Sequence, residues 1–426
     1  MSRLLIKGGR IIDPATKLDA PRDVLLDGGR IVAIEETIEA PGAEVLNAAG
    51  KIVAPGFIDL RARLREPGLE HAETIETGTR AAAAGGFTAV CAMPHTSPCN
   101  DSPTVTRYIR GRAAEQGSVR VLPVGALTHG CKGEQLAEIG SMKEAGVVAV
   151  SDGDRSLHDS GLMRRAMRYA GSFDLTVIAH CEDPYLGAGG QVADGPKASR
   201  LGLTGIPGSA ETAIVAREIV LAKETGTRTH LAHLSTREAV EMVRRAHGDG
   251  IPVTAEVSAH HLTLTVDDVP DYDSNFKLRP PLRTEDDRQA LIAGLADETL
   301  AAVISDHAPH TGNVKMQEFE DCPFGASGLE TAVSLTIEAL SESVPTMRLI
   351  EVFTTGPAAA LGRNDLGRLR IDGPADLTLL DLEREWTFQI ADSASKSRNS
   401  PVNGRSFKGG PAATIVAGKI AWKAAS

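Results

Sequence analysis

The chain has 426 residues, 42% hydrophobic and 24% charged, the make-up of an ordinary globular protein with room for two or three domains. A formal net charge of −11 at pH 7 excludes nucleic acid or a membrane surface as the main partner. No apolar run approaches the roughly 20 residues of a membrane span. The opening residues, Met1 to Ile6, meet Lys7 and a glycine pair too soon for a signal peptide. Cys91, Cys99, Cys131, Cys181 and Cys322 are scattered without C-x-x-C spacing, so neither a disulfide framework nor a zinc knot is expected. A cytoplasmic protein is expected.

In chain order, residues 1–53 carry short β-like runs at 3–6, 23–26 and 30–35, split by Gly8-Gly9 and Gly28-Gly29. They predict part of a small β domain. From residue 54 the rhythm changes. Apolar runs at 57–64, 87–93, 119–126, 147–151, 175–180, 228–234, 252–258 and 301–306 read as buried parallel strands separated by helices. Glycines before several strands (Gly85-Gly86, Gly117, Gly146, Gly226, Gly250) mark helix-to-strand turns. The pattern predicts a (β/α)₈ barrel over 54–360. A doubly wound sheet would alternate in the same way, but no G-x-G-x-x-G follows the first strand and no G-x-x-x-x-G-K-[ST] occurs. Runs at 376–382, 386–388, 413–417 and 420–422 predict strands of a segment 361–426, which completes a small β-sandwich domain built from both chain ends. Residues 391–412 are polar and read as a loop.

Strand alternation puts Arg61, Arg63 and Arg65 on one face of the first barrel strand. Such a face is costly unless it lines an anionic or solvated cavity; the bland alternative is a solvated edge strand. The other strand ends supply His95, Asp152 and Asp154, His180, His230 and His233, His260 and His261, and Asp306, His307 and His310. One such histidine is most often a hydrogen-bonded core residue. Recurrence at consecutive strand ends reads instead as a site inherited from a metal-assisted hydrolase.

The blocks Pro55-Gly56-Phe57-Ile58-Asp59-Leu60, Leu64-Arg65-Glu66-Pro67-Gly68, Met93-Pro94, Pro280-Pro281-Leu282-Arg283-Thr284, Ser305-Asp306-His307-Ala308-Pro309-His310, Pro323-Phe324-Gly325 and Gly328-Leu329-Glu330-Thr331 resemble those of the type I dihydroorotases of the amidohydrolase superfamily, in the same order over nearly the whole chain. The resemblance implies an amidohydrolase-type TIM barrel and the reversible closure of N-carbamoyl-aspartate to dihydroorotate in pyrimidine biosynthesis. It also implies metal ligands at His180, His233 and Asp306, Asp306 doubling as general base, with substrate contacts at Arg65, His310, Phe324 and Gly325. The departures fall on the same site. The family's first-strand H-x-H is Arg61-Ala62-Arg63, its bridging aspartate is Gly153, and its substrate-binding asparagines are His95 and Arg279.

Arginine stays cationic and cannot ligate a metal. Arg61 or Arg63 is therefore expected to form a salt bridge with Asp306, depressing its pKa and leaving it a vestigial base. The site is expected to hold no cofactor, or at most one weakly bound zinc with Asp152 or Asp154 swinging in. The leading expectation is an inactive dihydroorotase homologue that serves as a structural or regulatory partner of aspartate transcarbamoylase. One alternative is an active dihydroorotase with an atypical one-metal site. The other is a sensor in which Arg61, Arg63, Arg65, Arg279 and His95 bind a small anionic metabolite. A homo-oligomer is compatible with each.

Overall fold

A computed structural model describes residues 3–425. Met1 and Ser2, which open the N-terminal reading above, lie outside them. All eight predicted barrel strands are present: β1 (Phe57–Ala62), β2 (Phe87–Ala92), β3 (Arg120–Gly125), β4 (Ala149–Val150), β5 (Thr176–His180), β6 (Thr229–Ala232), β7 (Val253–Ser258) and β8 (Ala302–Ile304). They pair in sequential order. The ring closes through a parallel bridge between Ala62 and His307, backed by the Arg63 amide donating to the His307 carbonyl at 2.9 Å. Burial on both sheet faces explains why the strands read as near-continuous apolar runs.

The helices between strands are set by local chemistry. Thr74 and Thr284 close reciprocal capping boxes at the starts of Ile75–Ala84 and Glu285–Ala296. Gly146 and Gly226 take left-handed φ of 107° and 67° past their helix ends. Gly85 does not: its φ is −81°, and a side chain there would reach to 1.9 Å from the Leu329 carbonyl oxygen. Close approach, not handedness, requires that glycine.

The strands of both chain ends form one eight-stranded sheet. Ile52–Pro55 pairs antiparallel with Leu377–Thr387, which joins the two ends. Its core is Ile6, Ile11, Val24, Val53, Leu377 and Ile415. The predicted strands at 376–382 and 386–388 are a single strand, and the expected loop at 391–412 is shorter than drawn, because the strand Ser406–Val416 starts inside it. Among the described residues no helix is long and apolar enough to cross a membrane.

Candidate functional site

The site lies at the C-terminal mouth of the barrel and is built on β1. That strand ends at Ala62, two residues earlier than expected, and slips register against β2 between Asp59 and Ala62. A bulge of this kind re-aims side chains. Arg61 and Arg63 are 1% and 6% exposed, so the solvated edge strand is overturned. Arg65 leaves their strand altogether, with φ of 62°. Its Nε donates to the Pro309 carbonyl at 3.1 Å.

Arg61 ties the mouth together. Nε donates to Asp306 Oδ1 at 3.1 Å, and Nη2 donates to Asp154 Oδ1 at 2.6 Å and to the Gly153 carbonyl at 3.3 Å. Arg63 Nη2 donates to the same Asp154 oxygen at 2.5 Å. Buried guanidiniums are costly without partners; here two carboxylates offset the charge, while Arg61 Nη1 and Arg63 Nε have no hydrogen-bond partner. Burial pushes the Asp154 carboxyl up, but Arg63, His95 and Arg61 outweigh it and hold the group well below the usual range.

Asp306 behaves otherwise. Burial raises its pKa to about 6 despite Arg61 and Arg63, helped by the negative charge of Asp154 and Glu256. The expected depression is therefore wrong: desolvation and neighbouring carboxylates exceed the pull of the arginines. Nor is Asp152 free to swing. Its Oδ1 accepts from the Leu127 and Thr128 amides, both at 2.9 Å, and its Oδ2 from the Thr128 hydroxyl. Asp154 is equally committed to the two arginines.

His95 fills the place of a missing side chain. A Cβ on Gly153 would sit 1.5 Å from His95 Cε1, and Gly153 has φ of 65°. The Asp154 amide donates to His95 Nε2 at 3.2 Å, leaving buried Nδ1 without a partner. Burial takes the ring down to about 4, so it is neutral at pH 7.

On the opposite side, His180 Nδ1 and His233 Nε2 face each other at 3.1 Å. Burial lowers His180 to about 4 and His233 well below the ordinary range, so both rings are neutral. Glu182 sits beside His180, with oxygen and Nε2 3.8 Å apart, and takes a bidentate contact from Arg279, Nε to Oε2 at 2.9 Å. Arg279 also lies over the Phe324 ring, 5.0 Å from its centroid. Next to it, Gly325 (φ 116°) brings the 323–325 loop against Arg63, since a Cβ there would lie 3.3 Å from Nη1. His310 Nε2 donates to the Phe324 carbonyl at 2.9 Å, and burial lowers its pKa to about 3. A cleft of about 390 Å³ opens above, lined among others by Lys132, Asp154, His158, His180, Glu182 and Arg279.

The strand-end histidines His230, His261 and His307 do not join the site. His230 pairs with Glu256 at 3.0 Å inside the barrel, His261 bonds Ser258 at 2.8 Å, and His307 bonds Glu73 at 3.2 Å. Two positions that hold the site were not singled out in the sequence. Glu182 joins it through His180 and Arg279. Asn399, in the expected loop, donates to the Ala308 and Gly325 carbonyls, both at 3.0 Å, and accepts from the His310 amide at 3.1 Å.

These residues do not fit a two-metal centre. The Arg61 guanidinium already binds both carboxylates nearest the mouth, and the His95 ring takes the volume a bridging aspartate at 153 would need. The His180–His233 spacing would suit two ligands of one ion, but two imidazoles fall short of the three protein ligands a catalytic zinc usually has. Arg65, His233 and Asp306 have positive φ of 62°, 38° and 45°, strained backbone of the kind found at functional sites.

The closed barrel, the composite sheet and the His/Asp strand ends define a protein of the amidohydrolase fold. The L-hydantoinase (dihydropyrimidinase) of Arthrobacter aurescens superposes with a TM-score of 0.88 at 23% identity, covering 99% of this chain and 96% of that one. The D-hydantoinase of a Thermus species gives 0.84 at 23%, covering 99% and 97%. Residues 50–239 match the model of the dihydro-orotase-like family. Over 421 residues the chain is 51% identical to the dihydroorotase of Solibacter usitatus, covering 98% of each. The dihydroorotase of Syntrophotalea carbinolica is 47% identical over 422 residues, 99% of each. The chain belongs to the dihydroorotase family.

Proposed function

We propose that this chain is a dihydroorotase-family protein that has exchanged its metal centre for an internal ion-pair network, and that it works as a non-hydrolytic companion of aspartate transcarbamoylase in the cytoplasm. One observation carries the reading: Arg61 is bound to both Asp306 and Asp154. A fixed guanidinium supplies positive charge but has no empty orbital for a water or a carbonyl oxygen. Carbonyl polarisation and water activation, each worth several kcal/mol in a metal-assisted hydrolase, lose their source. Asp306, with its pKa near 6, keeps the proton affinity of a base but has no activated partner beside it.

The sensor reading is disfavoured because Arg61, Arg63 and Arg279 are each engaged by carboxylates of the chain itself. The facing pair His180 and His233 supports a second reading, a one-metal dihydroorotase. A dihydroorotate ring-opening assay with and without chelator separates the two: chelator-sensitive turnover favours the second. Partnership is tested by co-purification. The transcarbamoylase of the same cell is expected to lose activity or assembly when this chain is deleted; full activity and stability without it would overturn the proposal.

A further inference from the structure

Two thiols that the site does not use stand against each other at its rim. Cys99, on the loop after β2 that carries His95, is half-buried, and Cys131, on the loop after β3 that carries Thr128, is buried. Their Sγ atoms are 3.1 Å apart, close enough for one thiol to donate to the other sulfur. The two loops are already registered by Asp101, whose Oδ2 accepts from the Gly130 amide at 2.8 Å and lies 3.5 Å from His129 Nδ1. Cys131 is itself held in a left-handed conformation, φ 54°. The other three cysteines are buried.

We propose that Cys99 and Cys131 form a reversible disulfide, a modification site that cross-links the two loops beside the site. Pre-registration of the loops replaces the usual cost of bringing distant thiols together. Burial assigns the roles: Cys131 is buried, and half-buried Cys99 is the thiol that meets the solvent. With a small disulfide RSSR as oxidant, the Cys99 thiolate attacks one sulfur and releases RS⁻. Cys131 then loses its proton and attacks the Cys99 sulfur, releasing the second RS⁻. Two protein thiols and RSSR become one protein disulfide and two RSH, with the protein oxidised and RSSR reduced.

The test is intact-mass analysis and peptide mapping of the full chain after exposure to oxidised glutathione, followed by alkylation. The expected product has lost about 2 Da, links the peptides bearing residues 99 and 131, and is reversed by dithiothreitol, while Cys91, Cys181 and Cys322 stay free. Cys131→Ser is expected to stop at a glutathione adduct on Cys99, and Cys99→Ser to form neither product. The proposal is overturned if wild-type Cys99 and Cys131 both remain alkylatable, if the Cys99 adduct persists in the wild type, or if another pair links.

Discussion

Arg61 Nε lies 3.1 Å from Asp306 Oδ1, so the carboxylate at the end of β8 is held by a cation that belongs to β1. The pair spans the seam where the barrel closes, and Asp154 joins it from the other side of the same guanidinium. Removing the cation should therefore be felt in the fold. Arg61→Ala is expected to lower unfolding free energy by about 3–5 kcal/mol, the usual cost of leaving buried charge uncompensated. Chemical denaturation measures it. The double variant with Asp306→Asn should lose less than the sum of the two single changes.

The raised pKa of Asp306 fixes the sign of a pH effect. With a folded value near 6 and an unfolded value near 4, the folded state binds more protons between those limits. Wild-type stability relative to Asp306→Asn is expected to fall as pH rises from about 4 to 6 and to stay level above that window. A difference that grows with pH would show that the arginines outweigh burial.

Gly153 and His95 form one steric unit. Gly153→Asp alone puts a Cβ 1.5 Å from the His95 ring. A loss of about 1–3 kcal/mol is expected from overpacking. His95→Asn in the same chain should recover part of it, visible as a positive coupling in thermal or urea unfolding. Equal losses in the single and double variants would separate the two positions.

Asn399 ties the 308–310 segment to Gly325. Asn399→Ala leaves the Ala308 carbonyl and the His310 amide without their partner, and the Gly325 carbonyl with Lys315 Nζ alone, 3.2 Å away. Each buried orphan costs about 1–3 kcal/mol. Hydrogen exchange is expected to speed up in the loops at 308–310 and 323–327, with the barrel strands β4 to β6 unchanged.

Much of the barrel was legible because its strands are buried on both faces, which leaves an apolar run for every strand. That Arg61 or Arg63 would meet Asp306 was legible from two things together: a charge in a core strand must find an opposite charge, and the family resemblance put Asp306 at the same site. What stayed hidden depends on long-range placement. Asn399 sits in a polar, glycine-containing stretch that looks like any surface loop, and only the fold brings it against Ala308 and Gly325. Glu182 becomes a site residue because it lies beside His180 and because Arg279, far along the chain, reaches it. The Asp306 shift was misjudged because adjacency to arginine was weighed and desolvation, with Asp154 and Glu256 close by, was not. Cys99 and Cys131 share no motif; two separate βα loops bring them together.

Zinc content per chain, measured on protein purified without added metal and again after zinc loading and desalting, bears most directly on the replacement of a metal centre by arginine. The expected result is far less than stoichiometric zinc in both samples. One or more tightly held zinc ions per chain, with dihydroorotate turnover that follows occupancy, would contradict it.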